Sequence, residues 1–223
     1  LHDVFPRCEP RFFLTYYTAG VQPLFLTPRS PQFVYPPEPV TVRAVTDGRW
    51  RGAEATWVVR EQEELRGQAL SVVYLVTAGS DIVRIRTVQR NPTPRRIPAL
   101  RGLMAFVHPD FMGDEGTVTV PGATQTWVHR PGPAGFVGPD DLRVPWAWFT
   151  AGERSLGVLG MSKGRTGQVA FSFGDFLGVI MHAQDDIQPG TPEQPSCAVA
   201  EFALVLNRPA REAEALLAAL QAL

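Results

Sequence analysis

Two histidines in this chain have neighbours that could take part in proton transfer. Histidine changes its charge near neutral pH, which suits it to accept or donate a proton. His108 is either a half-buried histidine satisfied by the backbone or a residue of a functional site. His182 lies close to Asp185 and Asp186, and these two carboxylates either belong to a site or only begin a loop. The sequence therefore offers two candidate centres for acid–base chemistry, one at each histidine.

Aromatic side chains with polar neighbours form a second kind of candidate site. Flat rings suit the apolar faces of sugars, and polar groups beside them can bond the hydroxyls. The candidate sugar-binding residues are Trp127, His129, Arg130, Asp110, Gln184, Asp186, Trp146 and Trp148. Most aromatic residues of a β-sandwich belong to its core, so each ring is either a packing residue or a sugar platform. Trp146 and Trp148 share one face of a strand, which is compatible with either role.

Other familiar catalytic and metal-binding patterns are absent from the sequence or wrongly placed. Residues 160–164 match the G-x-S-x-G string of hydrolases, but that elbow must lie between a strand and a helix. Another strand is predicted after it, so a hairpin turn explains the string better. Cys8 and Cys197 are the only cysteines, too few for a structural zinc site, and they either pair or stay free. With no dinucleotide or phosphate-binding loop either, we predict no metal and no cofactor.

Charge and hydropathy exclude further classes of partner. The formal net charge is −1, so no overall field favours nucleic acid or an anionic membrane. The arginines between residues 84 and 101 are predicted to lie on a solvated sheet face. No apolar run approaches the length of a membrane span, and no signal segment begins the chain, which predicts a soluble protein and slightly favours the cytoplasm. The opening residues look like the end of a strand, which indicates either a fragment of a longer protein or the loss of an upstream strand.

Strand patterns dominate the chain and predict an all-β fold. Three long strands are predicted at 53–63, 67–77 and 81–90, and the breaks between them are short enough for hairpins. The proline-rich stretch 28–39 is predicted to be a loop or an edge connection. Further strands are predicted at 12–17, 21–26, 100–107, 117–120, 124–128, 146–150, 157–161, 168–173, 177–181 and 198–206. This spacing is typical of one antiparallel β-sandwich over residues 1–223.

One helix is predicted at the end of the chain, over residues 209–222. Asn207 is predicted to cap it, and Pro209 suits its first turn. An apolar stripe recurs at helical spacing, formed by Ala213, Leu216, Leu217, Leu220 and Leu223. The stripe either docks on the sandwich or forms a contact with a second copy or a neighbouring domain.

Residues 74–111 resemble the central strands of galactose-mutarotase-like β-supersandwich domains. Segments 74–81 and 83–88 match the central strand pair, and Asn91-Pro92-Thr93 matches the turn that follows it. The next strand ends in His108-Pro109-Asp110-Phe111, in the place of the family's H-P-x-F motif. Residues 178–184 look like the strand that carries the family's catalytic glutamate, and Pro189-Gly190 fits the turn before the last strand. The resemblance spans roughly residues 70–206 and implies two large antiparallel sheets.

The resemblance also implies roles for the candidate residues. Epimerases of this family pair a histidine acid with a glutamate base, because opening a pyranose ring moves two protons. His108 matches the histidine, whereas His182 stands at the glutamate position and the next carboxylate is Asp185. The resemblance therefore favours a carbohydrate-binding or carbohydrate-processing domain that is not an active epimerase. Its ligand would be a sugar or oligosaccharide at a concave face around the two histidines.

Two other hypotheses remain open at this point. The first is an aldose 1-epimerase-like isomerase that uses His108 with a nearby carboxylate such as Asp185. The second is a structural or interaction domain that dimerises through its C-terminal helix. An enzyme needs a carboxylate facing His108, a binding module needs aromatic rings along a groove, and an interaction domain needs neither.

Overall fold

The computed structural model describes residues 21–26, 31–33, 41–60, 66–96, 102–107, 115–128, 144–162, 169–173, 177–181 and 187–223. These residues form fourteen β-strands, one 3-10 turn (Ala210–Glu212) and one α-helix, α1 (Ala213–Gln221). The strands are β1 (Val21–Leu26), β2 (Pro31–Phe33), β3 (Thr41–Asp47), β4 (Trp50–Val58), β5 (Ala69–Val76), β6 (Ile82–Asn91), β7 (Gly102–Val107), β8 (Glu115–Val120), β9 (Ala123–Val128), β10 (Trp146–Ala151), β11 (Arg154–Gly160), β12 (Val169–Phe173), β13 (Leu177–Met181) and β14 (Ser196–Leu206).

The strands form two antiparallel sheets, as predicted. The larger sheet has nine strands in the order β3-β4-β5-β6-β14-β11-β10-β8-β9, and the smaller has five in the order β12-β13-β7-β1-β2. The predicted hairpins are confirmed, because β5 pairs antiparallel with both β4 and β6. The longest strand, β14, closes the centre of the large sheet by pairing with β6 and β11. The predicted all-β fold of large antiparallel sheets is therefore the observed one.

The central strands of the large sheet are apolar on both faces. Val73 and Leu75 belong to a core cluster that also contains residues of the C-terminal helix. Leu70 and Val72 alternate with them along β5, so they point to the opposite face, and they are also buried. We call these two surfaces the helix-side face and the inner face. Burial on both faces explains why β5 reads as an almost continuous apolar run.

The C-terminal helix covers part of the helix-side face, as one of the two interpretations of its stripe predicted. Ala213 and Leu220 are buried in the core cluster, and Leu216 and Leu217 pack against it. Leu223 does not take part, because it is 69% exposed. The predicted boundaries 209–222 hold to within two residues, with a 3-10 turn as the first part of the segment.

The predicted helix cap at Asn207 is wrong. Asn207 has a positive φ of 54°, whereas a capping residue has an extended conformation. The 3-10 turn begins after Pro209, and no side chain caps it. Asn207 instead reverses the chain after β14, while its backbone N–H donates to the Ser155 carbonyl at 3.0 Å.

The hairpin interpretation of residues 160–164 is also wrong. Strand β11 lies in the large sheet and β12 in the small one, so the chain passes from one sheet to the other between them. Next to this passage, Val144 and Val169 exchange backbone hydrogen bonds of 3.1 and 2.7 Å. The Ser162 hydroxyl accepts the backbone N–H of Glu201 at 2.8 Å. Ser162 therefore has a structural contact with β14, and the next described element is the strand β12, whereas a hydrolase nucleophile lies between a strand and a helix.

Two short edge strands were not predicted. Strand β3 is the edge of the large sheet, and its first four residues are exposed, so it lacks the apolar alternation that identifies a half-buried strand. Strand β2 lies within the stretch predicted as a proline-rich loop and is the edge of the small sheet. Pro31 is its first residue. Proline has no backbone N–H, and it is tolerated here because an edge strand does not need that donor for pairing within the sheet. The predicted strand at 12–17 lies outside the described residues.

Candidate functional site

The strands that lead to the two candidate histidines pair with each other in the small sheet. Strand β7 ends at Val107, which is paired with Leu177 at the beginning of β13. Strand β13 ends at Met181, which is paired with Leu103 near the beginning of β7. The carboxyl ends of the two strands are therefore separated by four residues along the sheet, about 13 Å. A ligand that touched both ends would have to span this distance.

Most of the predicted site residues lie outside the described part of the chain. These are His108, Asp110, His129, Arg130, His182, Gln184, Asp185 and Asp186. Trp127 lies in the backbone of β9, where it is paired with Gly116, but its side chain is not described. The roles assigned to these nine residues remain predictions.

The structure places the other two predicted sugar platforms in the core, so that assignment is corrected. Trp148 is completely buried and Trp146 is 6% exposed, both within the cluster of the helix-side face. The indole N–H of Trp148 donates to the Arg208 carbonyl at 2.8 Å. Gly157 leaves the space for this ring, because a Cβ there would lie 2.4 Å from Trp148 Cζ3. The Trp148 ring has no free face for a sugar.

Trp146 does reach one surface feature, on the helix-side face. It lines an open cavity of about 530 Å³ between the β8–β9 turn and the beginning of the helical segment. Thr119 and Thr124, whose hydroxyls are 3.2 Å apart, form one side, and Arg211 and Glu214 form the other. Because the Trp146 ring is buried, only a small part of it is available to this cavity, too little for stacking a sugar ring.

The inner face carries a strip of buried polar side chains at one end of the central strands. Trp57 is paired with Leu70, and Leu70 with Gln89, so the register places all three on this face. Gln68 lies two residues before Leu70 and belongs to the same face. The amide of Gln89 donates to Gln68 Oε1. Gln68 Nε2 and Trp57 Nε1 are buried without a hydrogen-bond acceptor.

Asn91 closes this polar strip and joins two segments of the chain. Its amide nitrogen donates to the carbonyls of Arg95, at 2.6 Å, and Gln188, at 2.9 Å. Its carbonyl oxygen accepts the backbone N–H and the hydroxyl of Thr93, at 3.0 and 2.7 Å. Gly190 donates its N–H to the Thr93 carbonyl at 2.8 Å. One buried side chain thus fixes the turn after β6 to the segment that begins at residue 187, directly after the predicted site residues 182–186.

Four charged side chains form a network on the helix-side face. Arg84 donates to Glu201 at 2.7 Å, and Arg86 forms ion pairs with Glu201 at 3.0 Å and with Asp47 at 2.8 Å. The Arg84 guanidinium also lies 5.2 Å from the centre of the Trp50 ring, a distance typical of a cation–π contact. Arg84 is buried, so the prediction that these arginines lie on a solvated face is wrong for Arg84 and holds only partly for Arg86. Because both positive charges are paired, the network stabilises the sheet and offers no anion site.

A second ionic contact lies on the same face at the outer strands. Glu54 is buried, and its carboxylate accepts the Arg43 Nε–H at 2.5 Å. Burial alone would raise the pKa of the Glu54 carboxyl, but hydrogen bonds from Arg43 and Ser71 and the charges of Arg43 and Arg90 outweigh it, so the pKa is lowered. Glu54 therefore remains ionised in the folded protein below the pH at which an exposed glutamate becomes protonated.

The polar strip on the inner face was missed in the sequence. Its signal is the alternation of β5, since Gln68 occupies the next inward position before Leu70 and Val72. A glutamine at an inward position of a central strand must be bonded inside the protein, because buried polar groups are rarely left without partners. Gln89 and Asn91 extend the same inward series along β6. Extending the alternation beyond the apolar residues would have identified these positions.

The described part of the chain contains no group of three or more histidine, cysteine, aspartate or glutamate side chains close enough to hold a metal ion. Within the same residues, no helix has the length and apolar character needed to cross a bilayer. Cys197 is exposed and free, and Cys8 lies outside the described residues.

No protein-family model matches this chain, and no curated protein sequence matches it. Solved structures do match by fold. A proposed aldose 1-epimerase from Klebsiella pneumoniae is similar with a TM-score of 0.54 and 9% identity, over 82% of this chain and 56% of that one. An α-N-acetylgalactosaminidase from Bifidobacterium bifidum in complex with Gal-NHAc-DNJ gives a TM-score of 0.56 and 9% identity, over 85% of this chain and 31% of that one. Its complex with GalNAc gives a TM-score of 0.52 and 11% identity.

These similarities establish the fold and no more. The chain has a galactose-mutarotase-like β-supersandwich fold, as the resemblance of residues 70–206 implied. It spans about half the length of the epimerase-like chain and about a third of the galactosaminidase chain. At 9–11% identity, activity is not transferred with the fold.

Proposed function

We propose that this chain is a carbohydrate-binding domain of the galactose-mutarotase-like fold that does not act as an epimerase. The observation that carries the proposal is the shared fold with two proteins whose names both refer to sugars, an aldose 1-epimerase and an α-N-acetylgalactosaminidase. Because one fold can host many functions, the match selects the ligand class to test first and leaves the reaction open. N-acetylgalactosamine is the sugar in the glycosidase's name, and galactose is one of the aldoses to which the epimerase's name refers.

In this proposal the two histidines contact different sugar units of an oligosaccharide, because the strand ends that precede them are about 13 Å apart. Neither histidine supports ring opening. An epimerase needs one group to remove the proton of the anomeric hydroxyl and another to protonate the ring oxygen. His182 stands where the resemblance implies the glutamate base. A neutral imidazole can accept a proton, but with an ordinary pKa of about 6.5 it is partly charged at neutral pH. A carboxylate is negatively charged and stabilises positive charge that develops during the reaction. A second imidazole stabilises such charge poorly.

The remaining predicted residues surround the sugar. Trp127 supplies an apolar ring, and hydroxyl-bonding groups come from its neighbours in sequence, His129 and Arg130, and from Asp110, Gln184 and Asp186. The alternative enzyme differs at one point, since Asp185 would then have to act as the base facing His108. If the anomers exchange no faster with wild-type protein than in buffer alone, the binding module is favoured over that enzyme.

Calorimetric titration with D-galactose and N-acetyl-D-galactosamine tests the proposal. We expect binding with a dissociation constant of roughly millimolar order, or about −4 kcal/mol. At least one of the variants His108→Ala and His182→Ala should weaken binding of these single sugars at least about threefold, whereas the surface variant Glu193→Gln should bind as the wild type does. Heat of dilution alone for both sugars would contradict the proposed function.

A further inference from the structure

Among the described residues, Trp57 and Gln68 are polar groups that the fold leaves unsatisfied on the inner face. Trp57 is 5% exposed and Gln68 is fully buried, and neither the indole N–H of Trp57 nor the amide N–H groups of Gln68 have an acceptor. Atoms of Asp81 and Arg84 are also unpartnered. Those two side chains, however, hold ion pairs with Arg208 and Glu201 through their other atoms. The Trp57 side chain has only one polar atom, and that atom has no partner.

The two unsatisfied side chains are close neighbours in the sheet. Trp57 is paired with Leu70 across β4 and β5, and Gln68 lies two residues from Leu70 on the same face. Diagonal neighbours of this kind have Cα atoms about 7–8 Å apart. The Gln68 carbonyl oxygen is already occupied by the amide of Gln89, which leaves its N–H groups for another partner. The site therefore presents donors only.

Buried donors without acceptors are rare in native proteins, and each one reduces stability unless something accepts its hydrogen. An apolar residue at position 57 would avoid this penalty, so packing does not explain the indole N–H. Residues that break such a rule of folding, here a buried donor without an acceptor, occur mainly at functional sites. The acceptor that suits an indole N–H and an amide N–H together, beside an apolar ring, is a neutral oxygen such as a hydroxyl or ring oxygen.

We propose that Trp57 and Gln68 donate hydrogen bonds to oxygen atoms of a bound sugar, and so form part of its binding site on the inner face. This inference rests on the proposed function, and it adds two binding residues of the large sheet, Trp57 on β4 and Gln68 directly before β5. Because both side chains are enclosed, the sugar can reach them only after a local opening of the structure. Association should therefore be slower than for an open groove.

The test compares two tryptophans that undergo the same change. Trp57→Phe removes an indole N–H that has no partner, whereas Trp148→Phe removes one that donates to the Arg208 carbonyl at 2.8 Å. Both variants lose similar volume from a buried position. Thermal unfolding and calorimetric titration with D-galactose and N-acetyl-D-galactosamine are measured on the wild type and both variants. Gln68→Met is a second variant in case Trp57→Phe does not fold.

We expect opposite patterns in the two variants. Trp57→Phe should bind sugar about three- to tenfold more weakly, equivalent to one hydrogen bond of about 0.7–1.4 kcal/mol. It should also lose less thermal stability than Trp148→Phe, which should retain wild-type affinity and melt a further 2–4 °C lower, roughly. Gln68→Met should weaken binding in the same way as Trp57→Phe.

Two failures can be told apart. If the wild type binds neither sugar, the proposed function and this inference both fail. If the wild type binds and both Trp57→Phe and Gln68→Met bind equally well, the donors serve only a buried water or remain unpaired. In that case the inference is overturned while the proposed function stands.

Discussion

At the level of single residues, buried charge in this protein is paired across neighbouring strands. Arg43 and Glu54 are direct cross-strand partners, and so are Arg86 and Glu201. The side chains of directly paired residues project from the same face of a sheet, so opposite charges in these positions attract each other and stabilise the sheet. Glu54 is the clearest case, because its carboxylate is buried and accepts the Arg43 Nε–H at 2.5 Å. These contacts explain how the sheet tolerates charge on the face that also packs the helix.

The lowered pKa of Glu54 predicts a specific pH dependence of stability. A carboxyl whose folded-state pKa lies below its unfolded value of 4.5 stabilises the fold above that value, and the contribution is lost as the pH falls through the folded pKa. Glu54→Gln should therefore lower the free energy of unfolding at pH 7 by about 1 kcal/mol, a modest figure because Arg43 is exposed to solvent. The deficit should shrink between about pH 4.5 and pH 3.

Urea unfolding of both proteins at a series of pH values measures this difference. The exposed Glu193→Gln is the matched control and should show no deficit at any pH. A Glu54→Gln deficit that is the same at pH 7 and pH 3 would show that the carboxylate charge does not contribute as described.

At the level of elements, the C-terminal helix is part of the core of the large sheet. Leu220 is 5% exposed in the cluster with Trp146 and Trp148, whereas Leu223 on the same stripe is 69% exposed. Leu220→Ala should destabilise the monomer by about 2–5 kcal/mol, because it leaves a cavity. Leu223→Ala, the matched control, should change stability by less than about 0.5 kcal/mol. Urea unfolding and size-exclusion chromatography of both variants check this.

The same pair of variants decides between the two roles of the stripe. A near-zero cost for Leu220→Ala, together with a smaller apparent size in solution, would mean that the helix is a contact between copies. The packing of Leu216 and Leu217 against the sheet favours the intramolecular role. Leu223 is then the most exposed residue of the stripe.

The elements that the sequence predicts well are those with the strongest apolar alternation. The hairpins of β4, β5 and β6 follow from that alternation and from short glycine-containing breaks. The edge strand β3 could not be found this way, because its side chains are exposed and its strand character comes only from pairing with β4. The cap at Asn207 failed for a local reason, since a residue type favoured at helix caps is also favoured at a positive φ.

The candidate site was less predictable than the fold. Alternation shows that Trp146 and Trp148 share a face, but not that the helix beginning at Ala213 covers it. Conversely, Trp57 and Gln68 look like ordinary strand residues until the register and their missing partners are known. Hydrogen bonding between distant strands is a property of the folded chain and has no local pattern in the sequence.

At the level of the whole molecule, the nine-stranded sheet has one face covered in part by a helix and another that carries the buried polar strip. Asn91 ties that strip to the turn after β6 and to the segment from residue 187. The same fold occurs in a proposed aldose 1-epimerase and in a glycosidase, at 9% identity to each. The central claim, which is our proposal, is that this chain binds a sugar and does not catalyse the epimerase reaction.

Time-resolved proton NMR of freshly dissolved α-D-galactose with the wild-type protein tests that claim most directly, because it follows binding and anomer exchange in one sample. The account predicts saturation transfer from protein to sugar, weakened in His108→Ala and Trp57→Phe, while the anomers interconvert at the rate of buffer alone. Absence of saturation transfer would contradict the binding claim. Interconversion that is faster with wild-type protein, and returns to the buffer rate in His108→Ala or His182→Ala, would instead identify an active epimerase.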